Sequence, residues 1–338
     1  MNQTTIKEVA LKAKVSVATV SRVINNNYPV SAAARENVLQ CMRELNYRPN
    51  GIARSLKRNK TQMIGFVVAD ISNPFFMQIA KAMENVIGNE DHSIVFCSSD
   101  GIPEKEKKLL ESLNDKRVEA MVIASSDPEG RYIRQLVDQG MPIVLIDRKV
   151  KGVDTDVVVE DNYNTAYLLT KHLIDNGHRK IAAVNASLAI SAGMERFEGF
   201  KAALQHHKIP LDQRYVLNGS FQKVDSYAAV RKMIAANRND LPTAIFCGNN
   251  IITIGTVLAI KESGLKIPDD LSVVSFGTMD LLELVEPKLT IAFQNAVGIG
   301  YKTGQIIMER IHQNVKNQGY KEYILVPEIK MGQSVKRL

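Results

Sequence analysis

The sequence predicts an α/β protein with a small helical N-terminal headpiece, followed by a two-lobed core of parallel, doubly wound sheets. Three observations carry this. Residues 4–46 hold three short helical patterns with cap signals. From residue 61 onward, short apolar runs alternate with helical stretches, as buried parallel strands joined by helices do. That alternation runs through two similar halves, which implies two lobes with a cleft between them.

The headpiece reads TIKEVALKAKVSVATVSRVIN over residues 5–25. Thr5 and Glu8 have the spacing of a capping box, and Val9, Ala10 and Ala13 follow at helical spacing. Lys14-Val15 makes a turn, and Ser16 caps a second helix from Val17 to Asn25. Two short helices joined by such a turn are a helix-turn-helix, whose second helix enters the DNA major groove. A third helix starts near Ser31 and places Val38, Leu39, Met42 and Leu45 against the first two.

Charge points the same way. Residues 1–60 contain eleven Lys/Arg against three Glu, a net +8. The whole chain is +7, so residues 61–338 carry −1. The basicity is confined to the segment that would face phosphates.

A chain of 338 residues exceeds one ordinary core, so two or three domains are expected. Cys41, Cys97 and Cys247 are widely spaced and form neither a zinc pattern nor an even disulfide set, which fits a reducing cytoplasm. All three read as core residues. The N-terminus lacks the apolar region of a signal peptide, and no apolar run reaches the ~18 residues that span a bilayer. No membrane partner, cofactor or metal is expected.

Tyr47 to Arg58 is a linker. Pro49 stops the third helix, and Asn50 can cap a short helix from Gly51 to Leu56, too short to be stable alone. Strand runs then fall at 63–70, 92–99, 118–125 and 142–147, with helices near 74–87, 104–116 and 129–139. The second half places strands at 180–185, 214–219, 243–248 and 271–277, with helices at 163–176, 194–207, 224–236 and 251–263. A last long helix near 295–315 and the strands after it cross back between lobes.

TIKEVALKAKVSVATVSRVIN followed by YRPNGIARSL resembles the headpiece and hinge of the lactose/galactose repressor (LacI/GalR) family, over the first ~60 residues almost without gaps. Residues 61–338 resemble the periplasmic sugar-binding-protein fold that the family shares. The resemblance implies a bacterial homodimeric repressor whose binding to double-stranded operator DNA is switched by a small molecule. It divides the chain into a headpiece (1–46), a hinge (47–60) and a core (61–338). Within the core, one lobe takes 61–161 and 293–322 and the other takes 162–292 and 323–338.

The family pattern assigns base-edge reading to Val17, Ala18 and Arg22. Arg22 can bond guanine in bidentate fashion, while Val17 and Ala18 offer apolar contact to a thymine methyl. Thr5, Ser16, Thr19, Ser21 and Asn25 are types that bond phosphates, with helix capping as a second role for Thr5 and Ser16. The hinge pattern implies paired short helices in the minor groove, involving Asn50, Ala53, Arg54 and Leu56. There Leu56 is wedged between base pairs; its alternative is packing against the core. Arg54 also supplies non-specific phosphate attraction.

In the core, the candidate effector residues stand at strand ends: Asp70, Asn73, Phe75 and Phe76 in DISNPFF, Asp147-Arg148, Asp161, Arg196, Phe221, Asn249 and Gln294. Aromatic faces with a few amide, carboxylate and guanidinium groups suit a polyhydroxyl ligand. Each also has a plain structural reading, with Phe75 and Phe76 as core and Asp147-Arg148 as a local ion pair. Two departures from the family pattern stand out. The family commonly has Asn-Asp at Asn249-Asn250 and an aspartate at Gly277. Both changes remove negative charge while Arg148 and Arg196 remain, which favours a sugar acid or sugar phosphate as effector. Asp280 is an alternative source of the missing carboxylate.

No G-x-S-x-G, H-E-x-x-H or phosphate-loop motif is present, and Gly298-x-Gly300 lacks a third spaced glycine, so an enzyme is not expected. A transport binding protein is disfavoured by the headpiece and the missing signal peptide. The chain reads as a cytoplasmic, nucleoid-associated repressor of carbohydrate-utilisation genes. Control by a partner protein is the alternative, and a DNA-architectural protein is a third class. No leucine-heptad extension follows GQSVKRL, so a dimer is expected rather than a tetramer.

Overall fold

A computed structural model describes residues 4–25, 28–47, 61–220, 222–277, 282, 284–312 and 319–338, with the side chain of Asn25 excepted. The chain divides into two compact units, Met1–Thr61 and Gln62–Leu338. The expected hinge positions Asn50, Ala53, Arg54 and Leu56, and also Phe221 and Asp280, lie outside the described residues.

Among its described residues the first unit has three helices, α1 (Ile6–Lys12), α2 (Val17–Asn25) and α3 (Ala32–Glu44). Thr5 caps α1, and the full capping box with Glu8 forms. Helix α1 ends in a left-handed residue, Lys14, while Val15 N–H bonds Ala10 O and Lys14 N–H bonds Leu11 O. This is the Schellman arrangement, and it turns the chain tightly into α2. Asn46 ends α3 in the same way. The core of the unit is Val9, Ala10, Ala13, Val20, Val23, Val38 and Cys41. Leu39, expected in that core, is instead 39% exposed. Cys41, one turn from Val38 on the same face, takes the buried place.

Among its described residues the second unit contains two six-stranded sheets. The first is formed by β1 (Met63–Val68), β2 (Ser93–Ser98), β3 (Ala120–Ile123), β4 (Ile143–Ile146), β5 (Asp156–Glu160) and β11 (Glu322–Leu325). Its order is β11-β5-β4-β3-β1-β2, and every pair is parallel. The second contains β6 (Ile181–Asn185), β7 (Val216–Asn218), β8 (Ala244–Cys247), β9 (Ser272–Phe276), β10 (Thr290–Phe293) and β12 (Glu328–Lys330). Its order is β12-β10-β9-β8-β6-β7, parallel except for antiparallel β12. The inner strands β1, β3, β4, β6, β8 and β9 are apolar because helices cover both faces, and two core clusters flank each sheet.

Helices α4 (Pro74–Ile87), α5 (Pro103–Asp115), α6 (Arg131–Asp138) and α11 (Ala296–His312) belong with the first sheet. Helices α7 (Asn162–Asp175), α8 (Ser191–His206), α9 (Lys223–Ala236) and α10 (Asn250–Glu262) belong with the second. The chain passes between lobes after β5, after β10 and after β11. The last passage differs from the expected division at 322/323. Strand β11 pairs with β5 through Leu325, so residues 323–325 stay in the first sheet. Phe293 likewise still pairs in the second sheet, opposite Glu328.

Gly300, a weak motif element in the sequence, has a packing role. A Cβ there would stand 2.1 Å from Ile79 O, so only glycine lets α11 lie this close to α4. Replacing Gly300 with valine should therefore cost about 2 kcal/mol or more in urea-monitored unfolding of the intact chain. Gly88→Ala, with nothing within 4 Å of the added Cβ, should stay within about 0.5 kcal/mol of the parent.

Candidate functional sites: a nucleic-acid face and an interlobe cleft

Helix α2 buries Val20 and Val23 and turns Ser16, Val17, Ala18 and Arg22 outward. Val17 is 41% exposed, which leaves it available for an apolar contact to a base edge. Ser16 Oγ accepts the Thr19 N–H at 3.1 Å, which caps the helix start, and lies 2.9 Å from Thr19 Oγ1. Thr5 is likewise engaged with Glu8. Ser21 is half-buried on the flank. The Arg22 guanidinium carbon lies 5.6 Å from the centre of the exposed Tyr28 ring. A guanidinium held over a ring keeps its in-plane N–H groups for a second partner. Tyr28 was not marked by the sequence reading; its signal is an aromatic residue directly after the polar run NNN.

In the second unit, the strand order reverses between β1 and β3 in one sheet and between β6 and β8 in the other. Ligands of open α/β sheets bind at such switch points, beyond the strand C-termini. A cavity of about 240 Å³ lies there, lined by Asp70, Asp100, Ser126 and Arg148 of the first lobe and by Ser187 and Gln222 of the second, among others. The loops come from six strand ends, so both lobes contribute walls.

Behind the cavity stands a network of buried polar groups. Asp147, in the left-handed region at φ +62°, accepts from Arg148 Nε at 3.2 Å and lies 3.9 Å from Arg196 Nη2. Arg148 also donates to Ser125 O at 3.0 Å. Ser125 is held in turn by the buried Glu106, whose carboxylate accepts from Ser125 Oγ at 2.6 Å and from the Ser126 N–H. Burial pushes the Glu106 carboxyl up. Arg196 donates to Asn162 Oδ1 at 2.8 Å and to Gly248 O at 2.9 Å, and its guanidinium carbon lies 3.8 Å from the Phe276 ring centre.

Glu160 is the centre of the crossing region. It is 3% exposed at the end of β5. It accepts from Gln294 Nε2 at 2.6 Å and from Asn295 N–H at 2.8 Å, both in the segment that leads from β10 into α11. Burial raises its carboxyl to about 7, against the Gln294 bond, the nearby Arg196 charge and the Asn295 bond, all of which lower it. Gly277 fits beside it at φ +84°, because a Cβ there would meet Gln294 Oε1 at 2.4 Å. The Gln294 side chain fills the space that a side chain at position 277 would need.

The remaining candidates separate clearly. Asn73 caps α4 and accepts from Asn250 Nδ2 across the lobes at 3.1 Å. Asn249 caps α10 and is 6% exposed. Asp161 caps α7 through Asn164 N–H at 3.1 Å. Phe75 and Phe76 take the place that the plain structural reading gave them. They are 7% and 4% exposed in the core under the first sheet and are not among the residues lining the cavity. Glu160, Asn162 and Glu106 were missed by the sequence reading. Glu160 had a usable signal, an acid closing the apolar strand VVV just before the capping Asp161.

The arrangement is that of a helix-turn-helix regulator with a two-lobed ligand-binding core, and comparison with known proteins agrees. Residues 5–50 match the family described as bacterial regulatory proteins, lacI family. Residues 61–330 match the periplasmic binding proteins and sugar binding domain of the LacI family. The chain is 32% identical over 335 residues to the HTH-type transcriptional repressor PurR of Histophilus somni, covering 99% of each chain. It is 34% identical over 337 residues to PurR of Mannheimia succiniciproducens, again with 99% of each covered. Among solved structures, the lac repressor dimer bound to operator and the anti-inducer ONPF shares the fold, with a TM-score of 0.86, 24% identity and coverage of 99% of this chain and 100% of that one. A LacI family regulator from Enterococcus faecium with bound ribose is 28% identical, with a TM-score of 0.73 and coverage of 82% of this chain and 99% of that one. The chain belongs to the LacI family of DNA-binding transcriptional regulators. No described helix is long and apolar enough to cross a membrane.

Glu160 makes a pH prediction. Its folded-state value is raised from about 4.5 to about 7, so the folded chain holds a proton that the unfolded chain releases earlier. That contribution is fully present below about 4.5 and is lost as pH rises through about 7, roughly 3 kcal/mol across the window. Glu160→Gln should flatten the pH dependence of core stability relative to the parent between pH 4.5 and 7.5, measured by urea unfolding at each pH.

Proposed function

We propose that this chain represses carbohydrate-utilisation genes, and that a small sugar-derived effector bound between the lobes sets its operator affinity. One observation carries the reading. A small cavity with a few polar groups on mostly apolar walls lies at the switch points of both sheets, in a chain whose first residues form a basic helix-turn-helix. The bound ribose of the Enterococcus faecium relative supports a sugar-class ligand. Two chains pair through their cores and present two headpieces to a pseudo-palindromic operator.

In this reading Val17, Ala18 and Arg22 face base edges, and Ser16, Thr19, Ser21, Thr5 and Asn25 set the register on phosphates. Asn50, Ala53, Arg54 and Leu56 act in the minor groove as a hinge. Asn73, Asp147, Arg148, Arg196, Asn249 and Gln294, with Phe221, form or support the effector site. Ligand that favours one relative lobe angle shifts the hinge equilibrium, with a coupling of about 1–3 kcal/mol.

The guanidiniums of the cleft already have partners: Asp147 and Ser125 O for Arg148, and Asn162, Gly248 O and Asp147 for Arg196. A neutral polyhydroxyl ligand leaves those pairs intact and ranks first. A sugar acid or sugar phosphate is the second reading, favoured by Arg148 on the cavity wall, and it must draw Arg148 away from Asp147.

Thermal-shift titration with matched neutral sugars, aldonic acids and sugar phosphates separates these. A ligand at about 100 times its dissociation constant adds about 2.7 kcal/mol of stability. Stabilisation by neutral sugars alone supports the first order, and by acids alone the second. Stabilisation by none of them removes these sugar classes and leaves a small molecule of another class or control by a partner protein. For the headpiece, operators selected from random DNA should lose about 1–3 kcal/mol of affinity for Arg22→Ala, concentrated at one base pair of each half-site. A uniform loss across all sequences would make Arg22 a phosphate contact instead.

A further inference from the structure

We propose that Asn73 and Asn250 form a one-directional latch that holds the two lobes together in the absence of ligand. The proposal rests on the reading of the cleft as the switch, and it adds how the resting position of that switch is set.

The geometry fixes which atom of each amide faces the other. Asn73 caps α4, so its Oδ1 already accepts the Phe75 N–H at 3.1 Å. Asn250 Oδ1 accepts the N–H of Ile251 at 2.9 Å. Both oxygens are thus oriented by backbone donors, and Asn250 presents Nδ2 to Asn73 Oδ1 at 3.1 Å. Asn250 is 3% exposed, so the bond lies in a largely water-excluded place. Neither residue lies on a segment that passes between lobes. The bond joins the loop after β1 to the start of α10, and it therefore constrains only the relative position of the two bodies.

The direction of the bond gives isosteric changes at the two ends opposite consequences. An aspartate at 73 keeps its cap and still accepts from Asn250, now as a charged acceptor. An aspartate at 250 has no donor to offer and sets a carboxylate against the Asn73 oxygen, so two acceptors face each other with no proton between them. Both variants add one negative charge, at a half-buried position for 73 and a buried one for 250, so the uncharged Asn73→Ser separates loss of the bond from the cost of burying a carboxylate. The amide at Asn250, a departure from the aspartate that the family commonly carries there, is the donor end of the latch.

The test is hydrogen exchange on the full-length protein without ligand or DNA, read in the segments 70–80 and 249–256. Asn250→Asp should speed exchange there about tenfold, and Asn73→Asp should leave it unchanged or slow it. Asn73→Ser keeps a helix cap but is too short to receive Asn250, so it should also speed exchange. It serves as the second opening variant if Asn250→Asp folds poorly. Equal acceleration by Asn73→Asp and Asn250→Asp would overturn the latch, because charge alone would then account for both. No change in any variant would overturn it as well. Since no ligand or operator enters, failure here is distinct from failure of the effector reading, which the ligand titration decides.

Discussion

The carboxylate of Glu160 joins the two lobes where the chain itself crosses between them. It closes β5 in one sheet and takes its hydrogen bonds from the residues that follow β10 in the other. A carboxyl this deeply buried is tolerated only because Gln294, the Asn295 backbone and the charge of Arg196 face it. At the opposite end of β5, Asp156 is held by Arg310 Nε at 2.6 Å and by the Lys321 N–H at 3.0 Å. One short strand is thereby pinned at both ends, to α11 and to the chain entering β11. The crossing segments have a fixed geometry from which the lobes extend.

That geometry decides how charge is shared in the cleft. Asp147 stands between Arg148 of its own lobe and Arg196 of the other. Lys149 adds a second tie, with its N–H on Ser191 Oγ at 2.7 Å and its ammonium 3.4 Å from Glu195. These links run between lobes without covalent connection, so closing angle and polar pairing are the same variable. A ligand that inserts a hydroxyl or a carboxylate into this set changes the closing angle through the pairs it replaces.

The headpiece is small, and its apolar core has only a few fully buried side chains. Its definition comes from its helix ends: the capping box at Thr5, the serine caps at Ser16 and Ser31, and left-handed closures at Lys14 and Asn46. Cross-links between helices complete it, with Asn37 Nδ2 on Ala13 O at 2.8 Å and Lys12 2.7 Å from Glu44. With α1 and α3 fixed behind it, α2 turns an outer face with Val17, Ala18 and Arg22 to solvent.

The sequence by itself determined the alternation of strands and helices, the caps of the headpiece and the confinement of positive charge to the first sixty residues. Those features are local: periodicity, cap chemistry and composition act within a few residues. It also marked most strand ends, which is why Asn73, Asp147, Arg148, Arg196, Asn249 and Gln294 were legible as candidates. Tertiary structure alone decided what each one touches. Phe75 and Phe76 follow a strand end as a ligand-stacking pair would, yet the helix they begin rotates both rings into the core. Glu160 hides at the end of a strand bracketed by acids, and only its partners 134 and 135 residues away reveal it. Gly277 reads as a lost carboxylate until Gln294 is seen in its space. Contacts between distant segments depend on how two sheets are placed, and no local pattern carries that information.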